Sequence, residues 1–154
     1  MVTLAFDSST LIEVMRGRDA KVQSAFMMLD VKKTPVVASV LVLHELLSGA
    51  ASSDNPAGER GKIERVLSEV DIIPLLEEDI EATAKVRSSL RLRGRPIGDV
   101  DVLIAGQALA RGWTVVTRNV KHFGGVEGLP IIDWSVGADP LSAELIAARV
   151  EAAD

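Results

Sequence analysis

The stretch Val2-Thr3-Leu4-Ala5-Phe6-Asp7-Ser8-Ser9-Thr10-Leu11-Ile12 decides how the fold is read. Val2–Phe6 is a short apolar run of the kind that forms a buried strand. It ends in a charge, Asp7, followed by three hydroxyl residues that are good helix caps, Ser8, Ser9 and Thr10. Helical spacing then takes over in Leu11–Arg16. The same order of strand, polar break and helix recurs along the chain. Pro35–Ala38, Ile72–Pro74 and Trp113–Val116 read as further buried strands, and Pro130–Ile132 as a weaker fifth. Helical patterns cover Val40–Ala50 after Ser39, Glu59–Val70, Asp79–Arg93, Val100–Arg111 closed by Gly112, and Ala143–Ala153. Ser, Asn, Pro and Gly cluster in Ala50–Gly61, which reads as a loop. Strands alternating with helices predict an α/β fold on a central, mainly parallel sheet of four or five strands. With 154 residues and no internal repeat, residues 1–154 read as a single domain.

Composition narrows the function. Apolar residues make up 47% and charged residues 25%, which excludes global disorder. The chain has no Cys, which excludes disulfides, thiolate metal sites and thiol nucleophiles, and fits a reducing compartment. Aromatics are 3% and Tyr is absent, so a stacking platform for bases is not expected. A net charge of −5 argues against indiscriminate DNA binding. It leaves room for a local basic patch, or for a cation that meets phosphate. No apolar run approaches the ~20 residues of a membrane span, and no basic leader opens the chain. The expected location is the cytoplasm, with no membrane partner.

In parallel α/β sheets the ligand site lies beyond the carboxyl ends of the strands. Asp7 directly follows a strand there, although plain helix capping is its other reading. Asp99 and Asp101 open the helix before Trp113–Val116, where the macrodipole also favours acids. Residues two apart point in different directions on a helix, so the two carboxylates do not share a face. Asp101 leads into Val102-Leu103-Ile104-Ala105, a nearly all-apolar run. Glu45 lies inside the apolar pattern Val40–Leu47, where it costs free energy unless paired, solvated or metal-bound. Its neighbour His44 points elsewhere and reads as a surface or core residue. Thr117-Arg118-Asn119 sits just past a strand, at the same edge as Asp7; a turn is the plainer role for Asn119. Carboxylates converging at one edge cannot all stay ionised without a counter-charge. With no Cys and 2 His, an all-oxygen site suits Mg²⁺ or Mn²⁺ rather than Zn²⁺. Such ions, singly or paired about 3.5–4 Å apart, activate water in phosphodiester cleavage.

Several pieces in order then resemble a known family. They are Phe6–Ile12, Ser39 with His44-Glu45-Leu46, Gly94–Gly106, Val116-Thr117-Arg118-Asn119, His122-Phe123, Gly128-Leu129 and Asp133-Trp134. Together they span nearly the whole chain and resemble the PIN-domain ribonucleases, in particular the VapC-type toxins of bacterial toxin–antitoxin pairs. The resemblance implies a three-layer α/β/α fold and a Mg²⁺- or Mn²⁺-dependent endoribonuclease. It implies catalytic roles for Asp7, Glu45, Asp101 and Asn119. Asp7 and Asp101 would hold the metal, with Glu45 binding it directly or through water, and Asp99 is a further candidate ligand. Asn119 stands where many members carry a fourth acid, and an amide is a weaker ligand, which weighs against a tightly held second metal. Ser9 and Thr117 match supporting hydroxyls. The implied partners are RNA and a small antitoxin that blocks the active site, in a homodimer or a toxin–antitoxin hetero-oligomer. Ala143–Ala153 and Met27-Met28-Leu29 are available for such contacts, but ordinary core packing is the expected reading of both.

Basic residues flank the acidic corner. Lys85, Arg87, Arg91, Arg93 and Arg95 run toward Asp99 and Asp101, Arg118, Lys121 and His122 lie beside Asn119, and Arg16 and Arg18 follow the Asp7 helix. Arg93, Arg95, Arg118 and Lys121 are the candidate RNA contacts; a solvated helix face is the alternative. With few aromatics, selectivity is expected from RNA shape. Two other functions compete. A haloacid-dehalogenase-like phosphatase would use Asp7 as nucleophile and Gly98-Asp99-Val100-Asp101 as metal motif, but its second acid is Ser9 here. A non-catalytic PIN-like RNA- or protein-binding module is favoured by Asn119 and opposed by Asp7, Glu45 and Asp101.

Overall fold

The computed structural model describes residues 1–152 of the chain. Its elements are β1 (Leu4–Phe6), α1 (Ser8–Arg16), α2 (Ala20–Met27), β2 (Val36–Ser39), α3 (Val40–Ala51), α4 (Pro56–Val66), β3 (Asp71–Ile73), α5 (Glu77–Leu92), α6 (Asp99–Arg111), β4 (Thr114–Val116), α7 (Val120–Phe123), β5 (Ile131–Ile132) and α8 (Ala143–Glu151). The strands form one parallel sheet in the order β3-β2-β1-β4-β5, so Pro130–Ile132 does contribute the fifth strand. The β1–β2–β3 connections add strands in one direction, and the β3–β4 connection returns across β1. Right-handed crossovers therefore place α1–α4 on one face and α5–α7 on the other. The packing agrees: α1 meets α2, α3 and α4, while α5 packs on α6 and α7 on α8. Phe6, Val115 and Val116 on the central strands are buried between these layers, as are Leu11 of α1 and Ala105 of α6.

Local chemistry explains where the boundaries differ from the sequence reading. α1 starts at Ser8, so Ser8, Ser9 and Thr10 are its first turn and Asp7 takes the N-cap position. α2 has weak periodicity and was not expected; Asp19 Oδ1 fixes its start by accepting from the Lys21 and Val22 N–H groups. The expected loop Ala50–Gly61 shrinks to residues 52–55, because Asn55 caps and Pro56 opens a helix there. That helix stops at Val66 rather than Val70. Ala153, the last residue of the expected terminal helix, lies outside the described residues.

Core packing is not the role of the methionine pair. Met27 is 79% and Met28 83% exposed, and only Leu29 of that group packs on the core. α8 likewise has no buried residue. Arg149 holds it to the buried Asp133 at 3.0 Å. Among the described residues no helix is long and apolar enough to cross a membrane.

Candidate active site

β1 and β4 lie side by side, with Phe6 paired to Val116. They leave the sheet at the point where strand addition reverses, the usual place for a crevice in such folds. Asp7 follows β1 and Thr117 follows β4, so chain topology alone sets them next to each other. Although Asp7 is the N-cap residue of α1, its side chain makes no capping bond. Its Oδ2 accepts from the Thr117 hydroxyl at 2.8 Å and the Ser9 hydroxyl at 2.9 Å. Each hydroxyl in turn accepts a backbone N–H, Ser9 from Arg118 at 3.0 Å and Thr117 from Asn119 at 2.9 Å. Those backbone donors occupy hydroxyl lone pairs and turn both protons toward the carboxylate. Asp7 thus stands at the N-cap position of α1 with its side chain committed to Thr117 and Ser9.

Glu45 reaches the same edge from α3, and the Ser8 hydroxyl donates to its Oε1 at 3.3 Å. Asp101 comes from the first turn of α6. Its Oδ2 lies 2.7 Å from His122 Nδ1, which is also 2.8 Å from the Asn119 amide nitrogen. A ring nitrogen can donate to the carboxylate or accept from the amide, but not both at once. His44 is exposed, as its sequence position suggested.

Burial and neighbouring charge act on two of the three acids. Burial pushes the Asp7 carboxyl above the usual aspartate range, and the Asp101 charge pushes it further; the Thr117 and Ser9 hydroxyls oppose this. Burial likewise raises the Glu45 carboxyl, followed by the charges of Asp7 and then Asp101. Such a cluster keeps its charge best beside a cation. A hard divalent ion suits the oxygen donors of Asp7, Glu45 and Asp101. Among the described residues no three His, Asp or Glu side chains are drawn together into a ready-made metal cage. Asp101 is instead held by His122.

The structure gives Asp99 a partner outside this group: its side chain is 81% exposed and pairs with Arg87 at 2.8 Å. Two of the RNA-contact candidates are also engaged. Arg118 donates to the buried Glu13 at 2.8 Å. Arg93 bonds the Gly125 carbonyl and the Ser89 hydroxyl. Lys121 is exposed and Arg95 half-buried. The sequence reading missed Glu13, Ser8 and the bridging position of His122. Glu13 carried the same signal as Glu45, an acid inside an apolar helical run. His122 sits three residues after Asn119, close enough for the short α7 to bring them together.

The PIN domain profile matches residues 4–127. The tRNA(fMet)-specific endonuclease VapC of Shigella flexneri is 31% identical over 88% of this chain and 100% of its own length. Its counterpart in Salmonella typhimurium is 28% identical over 87% of this chain and 99% of its own. Among solved structures, VapBC2 from Rickettsia felis bound to a promoter DNA fragment superposes with a TM-score of 0.80 at 25% identity, over 86% of this chain and 99% of that one. DNA-bound VapBC from Salmonella typhimurium gives 0.78 at 28% identity, over 87% and 99%.

Proposed function

Because the chain belongs to the PIN-domain family, we propose that it is a divalent-metal-dependent endoribonuclease and the toxin of a toxin–antitoxin pair. The observation that supports this reading is the Asp7 carboxylate at the β1/β4 edge, held by the Thr117 and Ser9 hydroxyls, with Glu45 held by the neighbouring Ser8 and Asp101 tied through His122 to Asn119. The full-length similarity to VapC ribonucleases supports the reaction class, and similarity to VapBC complexes supports a small antitoxin partner. A phosphatase with Asp7 as nucleophile is set aside, since Ser9 supplies only a hydroxyl bond to Asp7 where that chemistry needs an acid.

Asp7 and Asp101 would hold Mg²⁺ or Mn²⁺, with Glu45 binding it directly or through water. When bound, the ion supplies an acidified water and charge neutralisation for phosphodiester hydrolysis. Thr117 and Ser9 fix the Asp7 carboxylate in one orientation, so little reorganisation is needed as the substrate arrives. His122 holds Asp101 and stands beside Asn119, which places a second orienting group on the α6 side. Asn119 contributes a neutral amide at the fourth position, and a single ion is the occupancy this donor set favours.

The test is to incubate the protein with tRNA and other structured RNA in Mg²⁺, Mn²⁺ or EDTA. Two relatives are named as tRNA(fMet)-specific, so the initiator tRNA is the first substrate to try. Metal-dependent fragments are expected. RNA left intact in both metals would contradict the proposal and favour the non-catalytic module.

A further inference from the structure

A cleft of about 540 Å³ opens between α1, α3 and α4, and Glu45 forms part of its wall. Glu45 is the residue it shares with the acidic site, and its size falls in the ~300–1,000 Å³ range of small-ligand pockets. Arg16 and Arg18 line it. Gly17 between them takes φ 67°, a left-handed turn that ends α1, and both flanking arginines face the same space.

Arg16 and Arg18 are less committed than three other arginines near the site, a property they share with the exposed Arg91 and Lys121. Arg118 is bound to Glu13, Arg87 to Asp99 and Arg93 to the Gly125 carbonyl. Among the described residues, Arg16 and Arg18 have no ion-pair partner. Lys62, on the far wall, is matched by Glu59 at 3.0 Å. Two cations without an ion pair, in a wall they share with Glu45 and Glu59, offer a place for a phosphate. Ile12, Leu46 and Ile63 add an apolar wall that suits the face of a base. The space in front of Gly49 is open, since a Cβ built there would meet nothing within 4 Å.

We infer that this cleft takes a nucleotide of the RNA strand next to the cleaved bond, with its phosphate on Arg16 and Arg18. The inference rests on the ribonuclease reading and gives that site its direction: RNA runs from the acidic corner over α1 and α3, rather than along the arginines of α5.

The experiment uses the full chain carrying Asp101→Asn, so that RNA is bound without being cut. Fluorescently labelled tRNA is titrated by anisotropy over a range of salt. Adding Arg16→Ala and Arg18→Ala should weaken binding at least about tenfold and lower the log–log salt slope by about 2, one per lost phosphate contact. Adding Arg16→Lys and Arg18→Lys should keep the slope. Adding Gly49→Phe should weaken binding by filling the cleft while leaving the slope unchanged, and thermal unfolding confirms that each variant is folded. Wild-type affinity and slope in both the alanine pair and Gly49→Phe would overturn the inference. Loss of antitoxin binding with RNA binding intact would also overturn it and assign the cleft to a peptide. Cleavage by the unsubstituted protein reports separately on the ribonuclease reading: cutting with unchanged RNA binding in the variants defeats the cleft alone. No cutting, with binding lost in the variants, defeats the nuclease and leaves an RNA cleft.

Discussion

The Arg118 guanidinium donates to the buried Glu13 carboxylate at 2.8 Å. The same residue's backbone N–H holds the Ser9 hydroxyl, which in turn donates to Asp7. Glu13 also accepts the Asp19 N–H at 2.8 Å, and Asp19 caps α2. A continuous strut therefore runs from the start of α2 to the Asp7 carboxylate. Arg118, which by position beside Asn119 reads as an RNA contact, serves as structure.

Arg118→Ala should accordingly lose stability by about 2 kcal/mol, because it leaves a buried carboxylate unpaired. Adding Glu13→Gln should recover part of that loss, since the orphaned charge is gone. Urea denaturation of both singles and the double variant measures the coupling. Additive losses would mean that the pair contributes nothing as a pair.

Asp7 carries a stability–function conflict. Its folded carboxyl titrates above the usual aspartate value, chiefly through burial. A raised carboxyl favours folding fully only while it is protonated, below the ordinary value of about 3.9. That contribution is lost as pH rises through the raised folded value. In EDTA at neutral pH, Asp7→Asn should unfold at a higher temperature than wild type, and the gap should close on acidification. It should also abolish cleavage. A variant less stable than wild type at neutral pH would refute this account of the site.

The Asp79–Arg111 pair behaves in the opposite sense. Arg111 grips the buried Asp79 with two bonds of 2.9 Å, and Asp79 also accepts the Leu76 N–H at 2.8 Å. The arginine bonds hold the Asp79 carboxyl below its usual range. Its stabilisation is present above about pH 4 and lost as pH falls through the lowered folded value. Arg111→Ala should cost about 3 kcal/mol at pH 7 and flatten the acid limb of a stability–pH profile. An unchanged acid limb would show that the pair does not set it.

Gly106 allows α5 and α6 to touch. A Cβ there would lie 2.4 Å from Thr83 Cα, which is backbone and cannot rotate away. Gly106→Ala should destabilise by at least about 2 kcal/mol despite its better helix propensity. Since α6 carries Asp101, cleavage should fall at temperatures where the fold survives. Differential scanning calorimetry beside an activity assay checks both; a more stable variant would contradict the packing argument.

Much of this was legible in the residues. Val2–Phe6 with Asp7, and Trp113–Val116 with Thr117, announce strands ending in polar residues, and a parallel sheet brings their ends together. What capping bonds fix was not legible: Asp19 starts α2, which weak periodicity hides, and Asn55 lets α4 begin at Pro56 rather than at Glu59, within a run of turn residues. Side-chain commitment was hidden as well. Nothing local distinguishes Arg118, tied to Glu13, from Arg16, which faces the cleft. Asp101, which leads into the apolar run of α6, is preferred over Asp99 in the sequence; their partners were not legible, Arg87 in solvent for Asp99 and His122 for Asp101.

Asp7, Glu45 and Asp101 are proposed to form one metal-dependent ribonuclease centre. Its most direct test is single-turnover tRNA cleavage in Mn²⁺ by wild type and Asp101→Asn, with Mn²⁺ affinity of both measured by calorimetry. The substitution removes one charge with almost no change in shape. The expected result is a loss of at least about 10³-fold in rate, of the size seen when a key electrostatic group is removed, together with weakened Mn²⁺ binding. Equal cleavage by the two proteins, or Mn²⁺ binding indifferent to the substitution, would contradict it.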